Sequence, residues 1–250
     1  AGMGKALAGA SGNSDGGFRF FNLKDTARSV VIMIDVSASM FGRTGDFDYA
    51  SKKLVRKGRD QEFQRIRDEA GTLIESLGFN TRFGLIHWSG SARTWKKRLV
   101  PATEVNKKEA LEHLQTRVDY NKAGPTGGRP GGTRHDYALE EVLKLQPETV
   151  FMLTDGNATR SLGRGSYEVI EEKELIDLIE QAKKKSEEET QTKEKEKKPW
   201  KVPRINTIYY VTGKDNKEEE RMLRSIARKT KGAFTRIDAR PKRRARNRER

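Results

Sequence analysis

An unbroken apolar run, Val30-Val31-Ile32-Met33-Ile34, that stops at Asp35-Val36-Ser37-Ala38-Ser39 constrains this chain more than any other feature. Consecutive apolar residues of that length fit a strand covered on both faces, the kind that builds parallel sheets. The carboxylate and two hydroxyls that follow on alternate residues form a compact set of hard oxygen donors. Such donors suit Mg²⁺ better than they suit catalysis by any one of them. A second apolar run, Val150-Phe151-Met152-Leu153, leads into Thr154-Asp155-Gly156, and Gly131-Gly132-Thr133 supplies one more hydroxyl. Asp35, Ser37, Ser39, Thr133 and Asp155 thus form a candidate metal site drawn from three segments of chain.

The rest of the pattern supplies a scaffold for it. Residues 29–34 read as a buried strand. Phe63, Ile66, Ala70, Leu73, Ile74 and Leu77 recur at steps of three and four and predict a helix over 61–78. Thr81 to Trp88 reads as a strand, which Ser91 to Val100 continues or pairs with. Helices are expected at 107–118 and 135–145, and strands at 150–153 and 205–211. A helix over 217–230 would close on Gly232, with a final edge strand from Ala233 to Ile237. Strands alternating with helices predict an α/β fold, a doubly wound and mostly parallel central sheet flanked by helices, Rossmann-like in its winding. In such sheets ligands bind beyond the carboxyl ends of strands, and Asp35 and Asp155 both fall there.

Composition narrows the partners. The chain has 250 residues, 51 of them basic and 36 acidic, for a net charge of +15. That surplus favours acidic partners: nucleic acid, an anionic surface or carboxylate-rich protein. Seven basic residues and one acidic between Arg240 and Arg250 account for +6 of it, leaving +9 elsewhere. With no cysteine there is neither a disulfide framework nor a thiolate metal site, and His87, His113 and His135 lack paired-ligand spacing. No apolar stretch approaches the roughly 18 residues of a membrane span. The first residue is Ala rather than Met, which reads as a truncated or processed start.

Residues 1–26 are expected to form a flexible Gly/Ala/Ser-rich leader, 27–238 a single domain, and 239–250 a basic tail. Within the domain, residues 171–198 begin as an amphipathic helix and pass into a Lys/Glu-rich stretch. The segment 183–203 is therefore expected as a charged helix or loop extension.

Asp35-x-Ser37-x-Ser39, then Gly132-Thr133 before a helix, then Thr154-Asp155-Gly156 resembles the metal-ion-dependent adhesion site of the von Willebrand factor type A domain family. All five positions match, in the family's order, and the resemblance covers about residues 27–238. It implies that Ser37 and Ser39 bind Mg²⁺ directly (Mn²⁺ or Ca²⁺ being possible substitutes), and that Thr133 does so when a ligand is engaged. Asp35 and Asp155 would act mostly through bound water, leaving one position open for a carboxylate from a partner protein. The residues from Phe41 to Lys57 depart from the family pattern as an insertion beside the metal.

The resemblance therefore implies a Mg²⁺-dependent protein-binding or adhesion module, not an enzyme. It also implies a bacterial-type domain of the cell envelope in preference to a cytoplasmic adaptor. Two alternatives stay open at this level. A metal-dependent hydrolase or phosphoryl-transfer enzyme would need a further carboxylate, for which Asp46 and Asp136 are unmatched candidates. Nucleic-acid binding would run through the basic tail. The glycines between Gly124 and Thr133 only superficially resemble a phosphate-binding loop, because Thr133 stands where Lys is required. Asn157-Ala158-Thr159 matches a glycosylation acceptor by chance, with Asn157 expected to cap a turn. His87 and Trp88 read as packing residues, and Arg134 and His135 as aids in receiving an anionic partner.

Overall fold

A computed structural model describes residues 17–37, 40, 47–48, 53–54, 60–116, 132–156, 158–163, 166–192, 200–211 and 215–240. Ser39, Asn157, residues 117–131, residues beyond Arg240, and most of the 41–57 insertion lie outside the described residues.

The strands are β1 (Phe18–Phe20), β2 (Leu23–Asp25), β3 (Ser29–Asp35), β4 (Phe47–Asp48), β5 (Lys53–Leu54), β6 (Arg82–Trp88), β7 (Ala92–Thr94), β8 (Val100–Pro101), β9 (Thr149–Thr154), β10 (Thr159–Gly163), β11 (Ser166–Val169), β12 (Arg204–Val211) and β13 (Phe234–Asp238). The helices are α1 (Asp60–Ser76), α2 (Glu104–Thr116), α3 (His135–Leu145), α4 (Glu172–Thr192) and α5 (Lys217–Lys229). The main sheet runs β13-β12-β9-β3-β6-β7, with β8 also on β6. Its five strands from β13 to β6 are mutually parallel, while β7 and β8 are antiparallel to β6.

The chain enters the sheet in the middle at β3, moves out to β6, then crosses back to β9 and continues outward to β12 and β13. That reversal between β3 and β9 is the switch point of a doubly wound sheet. The expected α/β class is the one observed.

Alternation along β3 sorts the core into two layers. Val30, Ile32 and Ile34 pack with Phe63, Ile66, Ala70, Leu73 and Ile74 of α1, with Leu77 just past its end, and with Ala110 and Leu114 of α2. Val31 and Met33 face the other way, onto α3, α4 and α5 through residues such as Leu139, Leu175 and Leu223. Every apolar position predicted for the first long helix is buried. Helix α2 begins three residues before its predicted start. There Thr103 accepts the Asn106 N–H through its hydroxyl (3.3 Å) and the Lys107 N–H through its carbonyl (2.8 Å), acting as a cap.

The amino-terminal boundary needs correction. Residues 18–25, expected as leader, form the β1–β2 hairpin, and Phe18, Phe20 and Phe21 are buried. Phe20 meets Phe151 edge-on at 5.6 Å between centroids and Phe21 at 4.8 Å. Asp25, at the hairpin's end, accepts the Thr149 hydroxyl (2.7 Å) and an Arg204 N–H (2.6 Å), tying it to the amino ends of β9 and β12. A pair of three-residue strands falls below what alternation in sequence can signal, so burial of the aromatics is what defines the hairpin.

Three smaller boundary details follow. Helix α4 stays helical through Thr192, past the point where its sequence turns wholly polar, and the Ser186 hydroxyl donates to the Trp200 carbonyl on the return path. At the other end Ala239, expected in the tail, is buried and its N–H bonds the Val211 carbonyl (3.0 Å). Helix α5 ends at Thr230. Lys231 takes the left-handed conformation (φ 58°), and Gly232 reaches back from beyond it to the Ala227 carbonyl at 2.8 Å.

Phe20→Ala is expected to lower stability by about 3 kcal/mol, from lost burial and the cavity left behind. Urea unfolding measures this, and a flexible leader at 18–25 would show almost no change.

His87 adds a pH dependence. It is buried beneath α1 and α2, its ring 5.1 Å from that of His113, and burial pushes its pKa down to about 3, helped by His113 and Arg67. An unfolded histidine binds its proton near pH 6.5. Between pH 6.5 and about 3 the unfolded chain is therefore protonated where the folded one is not, so stability falls as pH falls. His87→Leu should flatten that limb by up to about 1.4 kcal/mol per pH unit, read from melts across pH 4–7.

Candidate metal centre

The register of the sheet sets the site. Ile34 on β3 is level with Leu153 on β9, so Asp35 and Asp155 leave neighbouring strands at the same carboxyl edge. On the other side Asp35 is level with Trp88, and the Val36 N–H extends that ladder to the Trp88 carbonyl (2.8 Å).

The chain then curls. The Ser37 N–H donates to Asp35 Oδ1 (2.8 Å), a short-range turn typical of Asp, and the Met40 N–H reaches the Ser37 carbonyl (3.2 Å). Met40 is fully buried and anchors the far side of the curl.

Asp35 Oδ2 is taken by the Thr154 hydroxyl at 2.6 Å, and Thr154 Oγ in turn accepts the Gly156 N–H at 3.0 Å. Thr154 therefore clamps one aspartate and shapes the turn that carries the other. The sequence places Thr154 beside Asp155 but carries no sign of this bond across the sheet.

Thr133 arrives from the far side, pinned on several points. Its N–H donates to the Thr159 hydroxyl (3.1 Å), and its carbonyl accepts the N–H groups of Thr159 and His135, both at 3.0 Å. The Arg134 N–H reaches the Ser89 carbonyl (2.7 Å), binding this segment to the end of β6. Gly132 has φ 85°, and a Cβ there would lie 2.5 Å from the Thr159 carbonyl oxygen. Any other residue would push Thr133 away from the turn after Asp155.

His135 is fully buried, and burial lowers its pKa to about 4, so it is neutral at ordinary pH. Its Nδ1 lies 3.1 Å from the Thr133 carbonyl, which fixes Nδ1 as the protonated nitrogen, and Nε2 faces Thr154 Oγ at 3.4 Å. The expectation that His135 helps receive an anion is overturned: it is an uncharged prop under Thr133. Arg134 is also engaged, with Nε and Nη2 on the Asp136 carboxylate (2.9 and 2.6 Å) and its guanidinium over the Tyr137 ring at 3.4 Å. His87 and Trp88 are buried, as expected of packing residues.

Four of the five predicted residues, Asp35, Ser37, Thr133 and Asp155, converge in this way, and each is buried. Burial pushes the pKa of Asp35 up to about 8, and the neighbouring charge of Asp155 adds to it, against the bonds from Thr154 and Ser37. Neither Asp35 nor Glu219, a buried acid next to this turn, is paired with Lys or Arg among the described residues. A carboxylate buried beside the like charge of Asp155, with no Lys or Arg on it among the described residues, suits a hard divalent cation. Among the described residues no three His, Cys, Asp or Glu side chains converge on one point. A cation here would therefore draw on hydroxyls and water besides the aspartates.

Residues 30–157, just over half of the chain, match the von Willebrand factor type A domain model. The chain belongs to the von Willebrand factor type A domain family. Among curated relatives, inter-alpha-trypsin inhibitor heavy chain H3 of Bos taurus is 30% identical over 151 residues, a match covering 58% of this chain and 14% of that protein. This chain thus aligns with only a small part of its curated relatives. Among solved structures, a von Willebrand factor type A protein from Catenulispora acidiphila superposes with a TM-score of 0.53 at 18% identity, covering 85% of this chain and 39% of that one. An aerotolerance-related membrane protein from Bacteroides fragilis gives 0.50 at 13%, covering 84% and 92%. At such identities the structural likeness concerns the fold. Von Willebrand factor type A domains are generally protein-interaction or adhesion modules and commonly carry a divalent metal at the adhesion site.

In this von Willebrand factor type A domain, Thr154→Val should cost about 1–3 kcal/mol, because it strips a buried carboxylate of a hydroxyl bond while keeping side-chain shape. Thermal melts test this. An unchanged midpoint would mean that Asp35 does not depend on Thr154.

Proposed function

We propose that this domain captures an acidic group of a partner protein through a divalent cation, Mg²⁺ foremost, held by Asp35, Ser37, Ser39, Thr133 and Asp155. The observation that carries the reading is Asp35, buried at the sheet's switch point beside the like charge of Asp155 and paired with no Lys or Arg among the described residues. Ser37 and Ser39 would bind the cation through their hydroxyls. Asp35, whose two oxygens already accept bonds from Ser37 and Thr154, is suited to act through water. Thr133 stands on a segment whose backbone is held from both sides, by Thr159 and by Ser89 through Arg134. The cation supplies a Lewis-acidic centre that neutral hydroxyls leave poorly quenched, so an external Asp or Glu completes it.

A hydrolytic reading would require a carboxylate converging with the two aspartates, and none does so among the described residues. Binding is therefore the reading favoured here. Action at the cell envelope follows the example of the aerotolerance-related membrane protein of similar fold. No helix among the described residues is long and apolar enough to cross a membrane.

Mg²⁺ or Mn²⁺ is expected to raise the melting temperature of the wild type and to leave that of Asp35→Asn unmoved. In EDTA, Asp35→Asn should melt close to the wild type, since without a cation burial already holds Asp35 largely uncharged near neutral pH. Immobilised Glu-containing peptides should retain the protein in Mg²⁺ and release it in EDTA, whereas Gln counterparts should retain none. No Mg²⁺- or Mn²⁺-dependent shift in the wild type would sink the reading.

A further inference from the structure

Glu219 is a buried acid that the site as described does not use. It sits in the first turn of α5, 7% exposed, and its Oε2 has no hydrogen-bond partner among the described residues. Acidic residues at this helical position commonly turn back to the N-cap backbone N–H. Here that role is already filled. The Asn216 N–H goes to the Tyr209 hydroxyl (3.0 Å), and the Asn216 side chain itself caps the N–H groups of Glu218 and Glu219 (3.1 and 3.4 Å).

Glu219 points instead across to the metal cup. Its carboxylate accepts the backbone N–H of Ala158, and its charge is felt by Asp155. Its stem lies along Gly156: a Cβ on that glycine would fall 2.7 Å from Glu219 Cβ, 2.9 Å from Cγ and 3.3 Å from the carboxyl carbon. Gly156 itself has φ 103°. The turn that presents Asp155 is thus moulded onto a second carboxylate, and that carboxylate is kept from solvent without a cationic partner. A buried, unpaired acid with a free lone pair is costly unless something positive lies near.

We propose that Glu219 is an outer carboxylate of the metal centre, a positioning residue that holds the backbone around Asp155, Gly156 and Ala158 and adds negative charge felt by the bound cation. It stands outside the ligand set, in keeping with the lack of a three-acid cluster among the described residues. Its contribution is electrostatic at one remove and mechanical through the turn. This rests on the metal-binding reading above.

The test compares Mn²⁺ and Tb³⁺ binding to wild type and Glu219→Gln by calorimetric titration. Glutamine keeps the shape and the acceptor for the Ala158 N–H but removes the charge. Loss of an outer partner of this kind is expected to weaken Mn²⁺ binding about tenfold. Because Coulomb energy scales with ion charge, Tb³⁺ should weaken about thirtyfold. In EDTA the variant should be at least as stable as wild type. Unchanged affinity for both ions, an equal loss for both, or a variant that fails to fold would each overturn the proposal. A wild type that binds neither ion would overturn the metal reading itself, and this inference with it.

Discussion

Two acidic groups held out of water beside each other are the interaction on which this architecture turns. Asp35 and Asp155 are buried at the carboxyl edge of adjacent parallel strands, and their mutual repulsion adds to the desolvation that already raises the pKa of Asp35. Folding does not favour such a pair by itself. The surrounding structure tolerates it by directing dipoles inward: the Ser37 N–H and the Thr154 hydroxyl onto Asp35, and the Ala158 N–H onto Glu219. These bonds lower the cost of the charges without neutralising them. What remains is an electrostatic demand of the kind that a cation would meet under the proposed function.

The winding of the sheet creates that demand. β3 and β9 are neighbours whose following connections lead to strands on opposite sides, which sets a crevice at their carboxyl ends. Each end is shaped by what its neighbours offer. The end of β6 supplies the Trp88 and Ser89 carbonyls that hold Val36 and Arg134. Thr159, at the root of the β10–β11 hairpin, grips Thr133 from the other side. The cup is therefore held by backbone and buried polar groups from four separate segments. Such placement makes the ligand positions rigid while leaving its rim to the loops.

How much of this could be read from sequence depends on the range of the interaction that decides each part. Strand β3 and helix α1 declare themselves because their apolar periodicity is local and long: six apolar positions in and just past α1 recur at helical spacing, and all six are buried. The candidate ligands were legible for the same reason, as short motifs at strand ends. The β1–β2 hairpin was not, since its strands are three residues each and follow a Gly/Ala/Ser-rich run. Only the packing of Phe20 on Phe151 reveals that it belongs to the domain. Thr154 and Glu219 show the same limit at the site. A threonine beside an aspartate, or one glutamate among Glu218, Glu219 and Glu220, looks ordinary until the fold brings it across the sheet.

The contrast between His135 and Glu219 sharpens what kind of site this is. Both are ionisable, both are buried next to the predicted ligands, and burial disfavours the charged form of each. His135 resolves the conflict by becoming neutral: its Nδ1–H satisfies the Thr133 carbonyl, and a positive charge that would compete with a cation never forms. Glu219 is moved only to about 7, so near neutral pH a large share of it keeps its negative charge, with one oxygen still unmatched. Burial therefore removes positive charge around the cup more completely than negative charge. A pocket built for an anion would show the reverse order. The chain is strongly basic as a whole, yet the buried cluster at this edge of the sheet is acidic, and under the proposed function that local inversion puts a cation ahead of any acidic partner.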